Sequence, residues 1–193
     1  MYTLICIDFI NEMMSSDGKL SGKGYVSFAD NKKSFEKIKT LQKFFRDKDW
    51  NIVHVRVGFD SDYKLQPKSS PLFGKADQFD ALKIGTYGTQ FHPDLKPIND
   101  ELIITKHRVS AFYGTNLDLV LKNLEAKNLV ICGVSTDLAV ATAVREAHDR
   151  DFSVNIVEDC CVAACEVEHE SSIALLKKVA NITTSTDFIS KNS

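Results

Sequence analysis

Leu129-Val-Ile-Cys-Gly-Val-Ser-Thr-Asp-Leu-Ala-Val-Ala-Thr-Ala-Val-Arg-Glu-Ala-His148 decides how the rest of the chain is read. Its first four residues, Leu129 to Cys132, are apolar. They are too few for a helix and suit a strand buried on both faces. Gly133 breaks the run. Ser135, Thr136 and Asp137 are favourable helix N-cap types, and the Ala-rich stretch from Leu138 to about Arg150 reads as a helix. Strand, sharp turn and helix start is where open α/β sheets hold their ligands. Backbone N–H groups at a helix start lack partners, so such a turn can hold an anion or a developing oxyanion. An ordinary βα connection has the same pattern.

Working outward, the same alternation recurs. Tyr2 to Phe9 reads as the first strand, with Leu4, Ile5, Cys6 and Ile7 at its core and Asp8 at its end. Asn11 to Ser27 is polar and Gly-containing, and reads as a loop. From about Asn31 to Asp49, Phe35, Ile38, Leu41, Phe44 and Phe45 recur at helical spacing with lysines between them, which predicts an amphipathic helix. Asn51 to Val57 is the second strand. Residues 58–100 lack periodicity and contain all four prolines, so they read as a lid or interaction loop, or else as a decorative insertion. Glu101 to Thr105 is the third strand and delivers Lys106. A helix around Leu117 to Leu124 precedes the opening stretch. Phe152 to Val157 is strand five and closes on Glu158 and Asp159. Glu166 to Val179 is a helix, Asn181 to Thr184 a short sixth strand, and the tail after Phe188 is expected to fray. These elements predict a single Rossmann-like three-layer α/β domain spanning 1–193, with a mainly parallel six-stranded sheet and helices on both faces.

Composition narrows the function classes. The chain has 193 residues, 44% hydrophobic and 26% charged, as in a globular domain. A net charge of −2 argues against a nucleic-acid or membrane-surface protein driven by a basic field. No apolar run approaches the ~20 residues of a membrane span, and the N-terminus has no signal-peptide pattern. The five cysteines (Cys6, Cys132, Cys160, Cys161, Cys165) match no zinc spacing and suit reduced thiols in a cytoplasmic protein, with the clustered last three the candidates for a reactive thiol. Neither glycine-rich phosphate-binding motif of nucleotide-binding folds is present.

Three strand ends carry the chemistry. They are Asp8, Thr105-Lys106 and Gly133-Val134-Ser135. In a parallel sheet all carboxyl ends lie on one edge, so an Asp, a Lys and a helix start can converge. A buried Asp and Lys would offset each other's desolvation. The pair could then move protons beside backbone donors or simply form a structural salt bridge.

With those residues assembled, Cys6-Ile-Asp8-Phe9, Thr105-Lys106 and Gly133-Val-Ser-Thr-Asp-Leu-Ala-Val-Ala-Thr-Ala143 resemble the isochorismatase-like (cysteine hydrolase) superfamily. The resemblance implies a Rossmann-like sheet, an Asp–Lys–Cys triad and a cis peptide at Val134-Ser135. It also implies oxyanion donors from the backbone of Ser135 and Ala139. The chain departs from the pattern at Ala139, where the nucleophilic cysteine would stand. A methyl group forms no thioester, so covalent amidase chemistry at this position is excluded. Three readings remain. One is non-covalent hydrolysis of a vinyl-ether type, with Asp8 as general acid and Lys106 orienting it or tuning its pKa. The others are an inactive or binding-only family member, and an engineered Cys-to-Ala variant.

The nicotinamidases of that superfamily hold a metal through an Asp-x-His arrangement after strand two. Here that place reads Gly58-Phe-Asp-Ser-Asp-Tyr63, so no metal or other cofactor is expected, and His54 reads as a core histidine. Arg56 and Arg108 are candidates to clamp a substrate carboxylate, although surface ion pairs would explain them equally. Tyr87, Phe91, Phe112 and Tyr113 are candidates for an aromatic wall, and Phe9 for a further substrate contact. The expected partners are a small-molecule substrate and a second copy of the chain, as a dimer or tetramer, with neither nucleic acid nor membrane.

Overall fold

A computed structural model describes residues 1–193 in full. The apolar runs form the middle of one sheet: β1 (Thr3–Ile7), β2 (Asn51–Val57), β3 (Leu102–Lys106), β4 (Asn128–Val134), β5 (Ser153–Val162) and β6 (Asn181–Thr183). All pairings are parallel, in the order β3-β2-β1-β4-β5-β6. β1 and most of β4 are buried on both faces, which is why they read as unbroken apolar runs. Gly133 is needed where these strands meet. A Cβ there would lie 2.5 Å from the Ile7 carbonyl oxygen.

Seven helices complete three layers: α1 (Asn11–Met14), α2 (Tyr25–Asn31), α3 (Ser34–Asp47), α4 (Leu117–Asn123), α5 (Ala141–His148), α6 (Glu166–Leu176) and α7 (Ser185–Asn192). The chain moves from β1 outward to β3, then crosses to β4 and moves outward the other way. The order therefore reverses between β1 and β4, and a crevice opens at their carboxyl ends.

Four elements differ from the sequence reading. Asn11 to Ser27 is not one loop: it contains α1, a 3₁₀ turn at Ser21–Lys23 and the start of α2. Such short helices are unstable alone and leave little periodicity to detect. β5 does not stop at Glu158. Its register against β4 slips between Ile131 and Gly133, and the strand continues to Val162. Asp159 in that irregular stretch accepts from the Ser185 N–H at 2.8 Å and the Ser185 hydroxyl at 2.9 Å. The C-terminal tail is helical rather than frayed. Thr184 caps α7 by accepting from the Asp187 N–H, and Phe188 stacks on Phe45. Finally, residues 136–140 form a wide π-helical turn before α5, so the helix after β4 begins with an expanded turn.

Residues 58–100 are irregular apart from a 3₁₀ turn at Tyr87–Thr89, as their sequence suggested. They nevertheless have an apolar centre of their own, in which Phe59, Tyr63, Phe73 and Leu82 pack with Ile10 and Val57. No helix is long and apolar enough to cross a membrane.

Candidate active site

Asp8 leaves β1 in the left-handed backbone region (φ 57°), a conformation that Asp tolerates better than most residues. This turns its carboxylate across the ends of β2 and β3. Oδ1 accepts the Val57 N–H at 2.6 Å, and Oδ2 lies 2.8 Å from Lys106 Nζ. The ammonium also donates to the Val109 carbonyl at 2.9 Å. Both side chains are almost fully buried, at 2% and 1% exposure. Burial pushes the Asp8 carboxyl above the usual carboxylate range, opposed by the Lys106 charge and the Val57 N–H.

The pair lies on the floor of a cavity of about 600 Å³. Val134, Ser135 and Ala139 form the adjoining part of the lining. The Val134–Ser135 peptide is cis, and Ser135 precedes the π-helical turn. Thus Asp8, Lys106, Val134, Ser135 and Ala139 are brought together at the β1–β4 crevice. None of the five cysteines lines it. Cys6, Cys132, Cys160 and Cys161 are buried elsewhere, while Cys165 is exposed at the start of α6. Burial drives the Cys160 and Cys161 thiols upward, the latter to about 12, so neither is an activated nucleophile.

The expected substrate contacts are not at this cavity. Phe9 is wholly buried in the main core. Arg56 lies on the opposite side of β2 from Val57. It donates to the Thr105 hydroxyl and the Thr89 carbonyl, and stacks over Phe91. Tyr87 reaches Ser15 at 2.8 Å, and Arg108 donates to the Leu65 and His107 carbonyls. Phe112 is buried beneath the Arg150 guanidinium, 4.6 Å away. Each has a structural partner that strand alternation and loop course provide and that spacing in the sequence does not reveal.

In their place the lining takes Tyr25, Lys23, Leu72, Phe73, Phe79 and Leu138, among others. Tyr25 belongs to the helix read as loop. Burial raises its phenol, and the Asp137 charge adds to that shift. No sequence motif marks these positions, because they gather only when the segment 71–82 folds over the crevice.

The residues after β2 do not form a metal site. His54 is fully buried and its Nε2 meets Glu101 at 2.8 Å. Asp60 accepts the Leu65 N–H, while Asp62 pairs with Lys64. These groups are each engaged by a different partner and do not converge on one point.

A doubly wound α/β domain with a ligand cavity at its switch point is the class that this geometry defines. A family model for the Isochorismatase domain matches residues 2–187, and the chain belongs to that family. The uncharacterized isochorismatase family protein YecD of Escherichia coli O157:H7 is 32% identical over 133 residues, covering 67% of this chain and 66% of that protein. The ureidoacrylate amidohydrolase RutB of Cronobacter sakazakii is 26% identical over 168 residues, covering 81% and 72%. In fold, a cysteine hydrolase from Pseudomonas syringae superposes with a TM-score of 0.85 at 22% identity, over 97% of this chain and 90% of that one.

Proposed function

We propose that this family member hydrolyses a small molecule without a covalent intermediate, using Asp8 and Lys106. The observation that carries the reading is the buried Asp8–Lys106 pair on a cavity floor whose nearby position 139 bears a methyl group. Burial raises the Asp8 carboxyl above the usual range, the direction that favours a proton donor over a free carboxylate. A vinyl ether is the substrate type that needs such a donor and no nucleophilic side chain. Asp8 gives its proton to the enol carbon, and the ether oxygen then shares the resulting positive charge. Water adds to the cation and returns a proton to Asp8. The hemiketal collapses to a carbonyl compound and an alcohol, so one water is consumed in all. Lys106 keeps Asp8 in place through Oδ2 while Val57 fixes Oδ1. The Ser135 and Ala139 N–H groups would hold the oxygen that leaves.

The reading carries a small-molecule substrate, a homo-oligomer and a reducing cytoplasmic location. Five unpaired thiols suit the last of these. The test is an assay on isochorismate and simpler vinyl ethers beside ureidoacrylate and other amides. Turnover is expected for the vinyl ethers alone, and Asp8→Asn should lower it by roughly 10²–10⁴-fold while leaving the fold intact. Amide turnover, or full activity in Asp8→Asn, overturns the reading. The alternative of a binding-only protein rests on the same methyl group at position 139, and saturable binding without turnover of any vinyl ether would favour it.

A further inference from the structure

The cavity is charged against the sign of the protein. The chain carries a net −2, yet the lining holds four lysines, Lys19, Lys23, Lys75 and Lys106, against one carboxylate, Asp8. Two of the four are matched. Lys106 pairs with Asp8 and Lys19 with Asp80. Lys23 and Lys75 enter no ion pair: the nearby lid carboxylates Asp77 and Asp80 are taken by Lys68, Lys83 and Lys19. Both free lysines are exposed, whereas Asp8 and Lys106 are buried. The uncompensated cations therefore stand towards the mouth, and the proton-transfer pair lies on the floor.

Between these levels the walls are apolar. Leu20, Leu72, Phe73, Phe79 and Leu138 contribute to them. Leu72, Phe79 and Leu138 keep 41%, 66% and 39% of their surface in water. Apolar surface facing a concave site is what the body of a ligand covers. Arg56 and Arg108 are engaged elsewhere, which leaves Lys23 and Lys75 as the cations that can meet an incoming anion.

We propose that Lys23 and Lys75 form an anion-recognition rim, and that the cavity takes an organic acid with an apolar body, its carboxylate at the mouth. An ammonium on a long stem acts as a point charge, so the rim attracts the anion without fixing its orientation closely. A low-dielectric groove beneath it focuses the field and raises the local concentration of acids. The location of the bond to be cleaved, on the floor beside Asp8, rests on the function proposed above. The rim itself does not.

The test measures binding, so it stands apart from turnover. Benzoate, cinnamate and 2-naphthoate are titrated calorimetrically into the full-length protein beside their carboxamides. At least one acid should bind about tenfold more tightly than its amide, a preference that weakens between about 0.05 and about 0.5 M NaCl. Lys23→Gln/Lys75→Gln should reduce the preference to about twofold or less, with amide affinity unchanged. Equal binding of acid and amide, an undiminished preference in the double variant, or no binding of any acid overturns the rim. Asp8→Asn separates the two ideas. Loss of turnover with the acid preference kept supports both, whereas retained turnover sinks only the function proposed above.

Discussion

Asp8 Oδ2 and Lys106 Nζ stand 2.8 Å apart at the ends of β1 and β3, strands that flank β2, and both side chains are almost fully buried. Neither charge is tolerable there alone. Removing one member of a buried pair costs about 3–5 kcal/mol because the other is left uncompensated. Lys106→Met should therefore destabilise the protein by that amount near neutral pH.

The pH dependence of that loss has a definite sign. Burial already raises the Asp8 pKa, and removing the ammonium raises it further. A carboxyl with a raised native pKa favours the fold while protonated. Its contribution is complete below the ordinary carboxylate pKa and is lost as pH rises through the native one. The stability gap between wild type and Lys106→Met should accordingly widen from acidic to alkaline pH in urea melts. A gap that stays constant, or narrows as pH rises, would refute this account of the pair.

Glu101 gives the opposite slope. Burial works against its charge, but hydrogen bonds from His54 and Arg46 outweigh that and hold its pKa at about 2. A depressed carboxyl stabilises the fold above its unfolded pKa and loses that contribution as pH falls through the native one. Glu101→Gln should cost on the order of 2 kcal/mol at neutral pH, and the deficit should shrink between about pH 4 and about pH 2. Urea melts at several pH values would read this. An unchanged deficit at the acid end would mean that the charge of Glu101 is not what the network holds.

Glu12 ties the cavity's outer wall to the end of β1. Its buried carboxylate accepts the Leu82 N–H at 2.7 Å and the Lys19 N–H at 3.0 Å. Both donors belong to segments that line the cavity. Glu12→Ala removes both bonds at once, each worth about 1.5–3 kcal/mol when the acceptor is charged. Hydrogen exchange should speed up at Leu82, Lys19 and their neighbours while β1 and β4 stay protected. Uniform acceleration across the sheet would show a global role instead, and no change would mean that Glu12 does not hold that wall in place.

How much of this was legible in sequence follows from which forces write a local pattern. β1 and β4 announce themselves because burial on both faces demands unbroken apolar residues. Asp8 and Lys106 could be brought together from the sequence because all strands of a parallel sheet end on the same edge. Tyr25 and Lys23 could not, since α2 is one short helix held by tertiary contacts and its Gly- and Ser-rich approach reads as loop. The continuation of β5 was hidden because Glu158 and Asp159 look like a strand end, and only the register slip against β4 carries them past it. Arg56 and Arg108 show the converse error. Their chemistry suits a carboxylate, but one faces away from the cavity and the other bonds to loop carbonyls. Nothing in residue type distinguishes those fates.

Ala139 offers the sharpest chemical test. Its side chain lines the same cavity as Asp8 and Lys106, so a thiol introduced there would have an ammonium and a carboxylate as cavity neighbours. A nearby cation lowers a thiol pKa and raises the thiolate fraction. Ala139→Cys, built together with Cys165→Ser to remove the exposed native thiol, should gain one site that iodoacetamide labels rapidly. The four remaining cysteines are buried and should stay unlabelled in the native protein. Adding Lys106→Met should slow the new labelling by about tenfold, equivalent to roughly 1.4 kcal/mol of thiolate stabilisation. If the introduced thiol reacts no faster than Cys165 does in the parent chain, the Asp8–Lys106 pair does not activate position 139. The methyl group would then stand where no nucleophile could have worked, which separates this cavity from a cysteine-hydrolase site and leaves only a non-covalent reaction or binding open to it.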